Sequence, residues 1–306
     1  MMKNLNKLIL GVALALIATH TFAQDPNFRL NQFNSLLLNP AQAGANSYSD
    51  VSVLGISQWN ALPGAPRTAA FSGNFKLGDN FGVGAVIMQD ELGPVKSFNT
   101  AINAAYHLNL SRKWKLSVGL KGTVSNTTVA LQDLEAVESD PDMMANLTSG
   151  IAFNGGFGVL LYTDKFYFGY SQPRVAEASF QDRDMSEFVD AKGGHLAYIG
   201  TDLPMGSIWK WRPNVVTRYI PTLPIVMDIN SIFTAKGGLD LGVTYQLNSS
   251  VGAMVGYEIK KKFYVGYSYS FPLSELSNAT NQTHEVGLRY MFNKSNSRFQ
   301  GPRFFN

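Results

Sequence analysis

The chain has 306 residues, a formal net charge of +3 and no cysteine. The missing thiols exclude a disulfide framework, a zinc–thiolate site and a cysteine nucleophile, and the near-neutral balance lacks the basic excess expected of a nucleic-acid-binding protein. Charged residues make up 15% and aromatics 12%, with 28 glycines; a water-facing domain carries about 25% charge, so this composition suits a surface that meets lipid.

Lys3 and Lys7 open the chain, Leu8 to Ala18 (LILGVALALIA) form a short apolar run, and Thr19 to Ala23 (THTFA) lead to Gln24. A positive start, an apolar core and a small-residue exit mark a secretory signal peptide. The alternative, a spanning helix, needs about 20 apolar residues. The expected cut falls between Ala23 and Gln24. No later run approaches the length of a spanning helix.

Beyond this point the dominant signal is alternation. Phe98, Thr100, Ile102, Ala104, Tyr106, Leu108 and Leu110 share one face, and Asn99, Ala101, Asn103, Ala105, His107 and Asn109 the other. Trp114, Leu116, Val118, Leu120 and Val124 alternate with Lys115, Ser117, Gly119, Lys121 and Thr123. Successive strand side chains point to opposite faces, so each segment has one greasy and one polar-or-small side. The pattern predicts fourteen strands, near 51–59, 67–76, 81–89, 98–109, 114–125, 151–162, 165–171, 193–200, 210–220, 224–232, 238–246, 250–258, 262–271 and 283–292. Most match the roughly 9–11 residues needed to cross a bilayer as a tilted strand.

The connections sort by length. Those after even strands are mostly short, as at Leu77–Asn80, Leu110–Lys113, Thr163–Asp164 and Ile259–Lys261; the long ones, Asn126–Gly150, Gln172–Lys192 and Pro272–Gln282, follow odd strands. Bacterial outer-membrane barrels have short periplasmic turns and long outside loops. An even strand count places both termini in the periplasm. The expected fold class is therefore all-β, a transmembrane outer-membrane β-barrel of about 14 antiparallel strands. The domains are 1–23 signal peptide, 24–292 outer-membrane β-barrel domain, and 293–306 a polar, basic periplasmic C-terminal tail. A soluble sandwich or lipocalin-like barrel is the alternative, because alternation alone does not say which face points inward.

Catalytic chemistry finds little support. His107, His195 and His284 fall on different expected strands, without HExxH or other ligand spacing. Asp90 and Glu91 are adjacent loop carboxylates. Glu135 to Asp142 (EAVESDPD) offers oxygen ligands that suit calcium, but lacks the spacing of a calcium loop, and a solvated loop is the plainer reading. No enzyme, metal or cofactor is expected. The segment Gln58–Thr68 is more informative. Pro63 and Pro66 fix φ, and Gly64 permits a tight path. A stiff loop carrying Trp59 either presents a surface to a partner or folds back as a plug or lid. In the partner reading the site is Gln58, Trp59, Pro63, Gly64, Pro66 and Arg67, with Trp59 the apolar anchor and Arg67 a charge-assisted donor. Asn39-Pro40 and Gly44 suggest chain geometry leading into the first strand.

Several motifs go further. Gln32–Gly44 (QFNSLLLNPAQAG), Gln58–Thr68 (QWNALPGAPRT), Phe81–Gly84 with Asp90–Gly93, Ala105–Leu108 with Trp114–Lys121 (WKLSVGLK), Tyr167–Pro173, Gly266–Tyr269 and His284–Tyr290 resemble stretches of the PorP/SprF family of the type IX secretion system in Bacteroidetes. The resemblance covers nearly the whole chain after the signal. Asn146–Gly150 departs from it, as does the long tail after Phe292. It implies a non-enzymatic barrel of the secretion and gliding machinery. The implied partners are a large secreted adhesin-like surface protein, captured or anchored after export, or periplasmic type IX ring components, together with outer-membrane lipid and no nucleic acid. The competing function is a passive outer-membrane pore or solute channel.

Overall fold

In the computed structural model, the described residues are 28–30, 33–59, 64–130, 147–148, 150–175, 193–221, 223–273 and 282–292. The expected signal peptide, the acidic stretch 135–142 and the tail 293–306 lie outside them. Strands β1 Ser49–Ser57, β2 Arg67–Leu77, β3 Phe81–Leu92, β4 Val95–Asn109 and β5 Lys115–Val129 form one run. The short β6 (Leu147–Thr148) pairs with β5. Then come β7 Ala152–Tyr162, β8 Phe166–Gln172, β9 His195–Thr201, the short β10 Leu203–Met205, and β11 Trp209–Tyr219. The last are β12 Val226–Ala235, β13 Leu239–Gln246, β14 Ser250–Ile259, β15 Phe263–Pro272 and β16 Thr283–Phe292. Apart from the two short strands, neighbours in sequence pair antiparallel, β1 pairs with β16, and β9 pairs with β11, closing a barrel of fourteen strands. Among the described strands, closure leaves no edge strand to face hydrocarbon.

Burial decides which face meets what. Ile102 is 68% exposed, Leu120 67% and Phe153 75%, whereas Asn103, Ser117 and Ser171 are fully buried. The apolar face points outward and the polar-or-small face inward. This is the inverse of a soluble barrel and suits a lipid-embedded one. Aromatic rings gather near both ends of the strands. At one end Trp114 meets Phe166 at 5.9 Å and Phe263 meets Tyr290 at 5.0 Å. At the other, Tyr170, His195 and Tyr219 stack in sequence, and His284 lies between Tyr267 and Tyr269.

The turns at 78–80, 110–114, 163–165, 236–238 and 260–262, together with the short β10 hairpin, gather at the end where β1 begins and β16 finishes, here the turn end; the turns at 93–94 and 247–249 lie at the other. The connections 130–151, 173–194 and 273–282 join strands at the opposite, loop end. By the general rule for such barrels the turn end faces the periplasm. Pro213 sits inside β11 without breaking the wall. Proline has no N–H to donate, and β11 changes partner there, pairing with β9 from Asn214 onward and with β10 before it.

The lumen is occupied by the chain's own N-terminal segment. One helical turn, α1 (Ser35–Leu38), and a 3-10 turn at Pro40–Gln42 lie ahead of β1. Leu30, Phe33, Leu36, Asn39, Ala41, Gln42 and Ala43 are all buried. The wall glycines explain how a segment of backbone fits. A Cβ at Gly82 would lie 2.1 Å from the Ala43 carbonyl oxygen, at Gly119 2.3 Å from the Ala41 nitrogen, and at Gly158 2.0 Å from Asn39 Oδ1. Phe33 fills the space over Gly266 and Gly287 in the same way. Asn39-Pro40 and Gly44 therefore do more than lead into the first strand: they are the packed centre of a plug.

Candidate functional site

Two features bear on function: the anchored plug and the loop-end segment around Trp59. The plug is held by side chains on the inner wall. At the loop end the Glu285 carboxylate accepts from Arg29 N at 2.9 and 2.8 Å and from Leu30 N at 2.8 Å. Arg29 Nε donates to Ser270 Oγ at 3.0 Å and Nη2 to Ser250 Oγ at 2.6 Å. Charge-assisted bonds of this kind are about twice as strong as neutral ones. Ser52 Oγ donates to the Phe33 carbonyl at 2.6 Å, and Arg289 lies over the Phe33 ring at 5.4 Å.

Towards the turn end the contacts reach the plug backbone. Asn39 Nδ2 donates to the carbonyls of Val159 and Tyr170 at 3.0 and 3.2 Å, and Ala41 N donates back to Asn39 Oδ1 at 2.8 Å. Ser117 Oγ donates to the Ala41 carbonyl at 2.8 Å, Gln42 Nε2 to Tyr198 OH at 2.7 Å, and Gly44 N to Asn74 Oδ1 at 2.7 Å. His107 Nε2 meets the Ala43 carbonyl at 2.8 Å, and its Nδ1 meets Tyr162 OH at 3.0 Å. A plug with little regular structure must satisfy its peptide groups somewhere; here the barrel wall meets that need. The segment thus runs from the loop end at Arg29 to the turn end at Gly44. The first strand does begin at the turn end, as an even count requires, but the chain ahead of it returns through the lumen.

The wall carries its own paired charges. Asp240 accepts from Arg212 at 2.8 Å and from Tyr264 OH at 2.6 Å, while Arg212 also bonds Thr234. Asp228 takes Arg218 at 2.5 Å and Gln246 Nε2 at 3.0 Å. These bonds run across the inward face, between adjacent strands or, at Asp240, between strands one apart, and such pairing offsets the cost of burying charge.

The residues singled out in the sequence gather at the loop end. Gln58 N donates to the Pro66 carbonyl at 3.0 Å, closing the base of the loop. Trp59 is half-buried with φ 49°, an uncommon value for a bulky residue. Gly64 is exposed at φ 70°, its carbonyl accepts from Gly93 N at 2.8 Å, and a Cβ there would meet Gly93 Cα at 3.0 Å. Pro66 is half-buried. Arg67 opens β2, exposed and opposite Glu91 of β3, and Gln89 Nε2 donates to Glu91 at 3.0 Å. Pro63 lies outside the described residues. Gln58, Trp59, Gly64, Pro66 and Arg67 thus share one corner of the rim with the Gly93-Pro94 turn. His195 and His284 face outward in the loop-end aromatic belt, while His107 faces inward against the plug. Among the described residues, no three His, Asp or Glu side chains converge as metal ligands.

What sequence reasoning missed is the plug. The available signal was the inward row of small residues, among them Gly82, Gly119, Gly158, Gly266 and Gly287, which leaves room that another segment must fill.

Solved structures share the architecture. The Ralstonia pickettii toluene transporter TbuX is 10% identical with a TM-score of 0.51, over 85% of this chain and 93% of its own. The Pseudomonas putida toluene transporter TodX is 11% identical with a TM-score of 0.50, over 90% of this chain and 100% of its own. At such identity the likeness concerns fold alone. No curated protein matches the chain. Residues 20–290 match the family described as Type IX secretion system membrane protein PorP/SprF. A match over that span, on a closed barrel with an apolar outer face, places the protein in the outer membrane, and the chain belongs to the PorP/SprF family of type IX secretion system membrane proteins.

Proposed function

We propose that this barrel anchors a secreted surface protein at the cell exterior, with its loop-end rim as the docking face. The observation that carries the reading is the occupied lumen. A plug bonded to the wall along its length leaves a surface to offer rather than a passage. The rim corner of Gln58, Trp59, Gly64, Pro66 and Arg67 supports the reading, because an aromatic anchor held by its own backbone beside a charged donor loses little entropy on binding. The partner is a large adhesin-like protein delivered by the secretion machinery; periplasmic ring components are the second class of ligand, and they would meet the turn end. Export uses the signal peptide, removed after Ala23.

The test is capture of the tagged barrel from native outer membranes, followed by mass spectrometry of the eluate. A large surface protein is expected, retained less by Trp59→Ala and Arg67→Ala barrels. Recovery of the barrel with lipopolysaccharide alone, combined with steady ion conductance by purified barrel in a planar bilayer, would replace anchoring with a pore.

A further inference from the structure

The turn end carries a ring of positive charge. The β4–β5 turn exposes Arg112 and Lys113, and the β7–β8 turn exposes Lys165. Across the barrel, Lys236 stands in the β12–β13 turn and Lys260, Lys261 and Lys262 make the β14–β15 turn, all exposed. Among the described residues of the tight turns at this end, Asp79 and Asp164 are the exposed carboxylates. The strand order spreads these cations around the circumference instead of gathering them on one side.

The β14–β15 turn adds a second observation. Lys260 and Lys261 hold φ 52° and 56°, and Lys262 N donates to the Ile259 carbonyl at 3.1 Å. A β-turn with both central φ positive ordinarily takes Asn and Gly there, because a Cβ is disfavoured in that conformation. The chain places two lysines in that position and continues with a third. A third observation fixes the depth. The ring lies just beyond the aromatic belt of Trp114, Phe166, Phe263 and Tyr290, and such belts sit at the headgroup level of a bilayer.

We propose that this ring binds the anionic phospholipid headgroups of the leaflet at the turn end. Lysine suits the task, since its ammonium stays hydrated on a flexible stem that lies along apolar surface and reaches a phosphate. Charge spread around the rim matches an annulus of lipid, whereas one acidic protein would need a one-sided patch. The contact also sets the vertical position of the barrel, independently of what docks at the loop end.

The mature barrel is reconstituted in phosphatidylcholine vesicles with spin-labelled phosphatidylglycerol or spin-labelled phosphatidylcholine, and the motionally restricted fraction of each is compared. At low salt, phosphatidylglycerol is expected to associate about threefold more strongly. The preference falls towards equality in 1 M salt, where the Debye length is about 3 Å, and in the variant Lys165→Gln, Lys236→Gln, Lys260→Gln, Lys261→Gln, Lys262→Gln. The matching Lys→Arg variant keeps it. Equal association of the two lipids with the unaltered barrel overturns the proposal, as does a preference that persists in high salt. The salt series on the unaltered protein decides the matter even where the five-fold variant folds poorly. An acidic protein that binds the turn end of a barrel with no lipid preference also overturns it, in favour of a protein ligand.

Discussion

Gly119 and Gly122 stand three positions apart on β5 and face different media. A Cβ at Gly119 would press on the plug backbone, with Ala41 N at 2.3 Å; at Gly122 it would meet nothing within 4 Å. Gly119→Ala is therefore expected to lower the unfolding free energy by about 1–3 kcal/mol, the usual range for overpacking. Gly122→Ala should stay within about 0.5 kcal/mol of the parent. Urea titration of the barrel in detergent measures both, and equal effects would contradict the plug's seat. Glu285 acts in the opposite sense, by holding rather than making room. Removing its carboxylate strands two plug N–H groups at a cost of about 1–3 kcal/mol each. Glu285→Ala should raise the rate of proteolytic cleavage within residues 28–48 while the barrel wall stays resistant.

At the scale of the element, each strand solves two problems with one alternation. Its outward residues dissolve in lipid and its inward residues bond the plug or pair with neighbouring charges. β5 does both, with Leu120 67% exposed and Ser117 fully buried against Ala41. Leu120→Arg places a charge on the lipid face at mid-membrane depth, which costs about 2–4 kcal/mol in such barrels. Folding yield into vesicles should fall accordingly. A water-facing position would tolerate the same change, so an unaffected yield argues against membrane embedding. The Lys260–Lys261 turn makes the complementary point, because a local backbone preference yields there to what the side chains do at the rim.

The whole molecule is a barrel that carries its own filling. The plug is continuous with β1, crosses the lumen from end to end, and bonds residues as far away in sequence as Glu285. Deleting residues 28–44 should leave a folded wall with an open interior, detectable as ion conductance in a planar bilayer where the parent protein is silent. Equal conductance by parent and deletion would mean that the segment does not close the lumen. The same architecture explains how a fold shared with toluene transporters serves a secretion-system family. The barrel wall sets the frame, and what occupies the lumen and decorates the rim sets the use.

Strand count, strand positions within a few residues and the sorting of long loops to one end were all legible in the amino-acid sequence. These are local properties: period-two hydropathy, strand length against bilayer thickness, and turn residues. The expectation of a stiff loop at Gln58–Arg67 is local in the same way, since proline and glycine act on their own backbone. Which face of each strand met lipid was open in the alternation, which is symmetric between inside and outside; burial of Asn103, Ser117 and Ser171 settled it. Only the tertiary structure assigned Asn39, Pro40 and Gly44 to the lumen. They have no periodicity to betray them, and their partners, from Asn74 to Tyr170, are set by closure of the wall around them. The meeting of Gly64 with Gly93 likewise depended on strand pairing, because side chains and peptides distant in the chain become neighbours only when the register of β1, β2 and β3 brings their loops together.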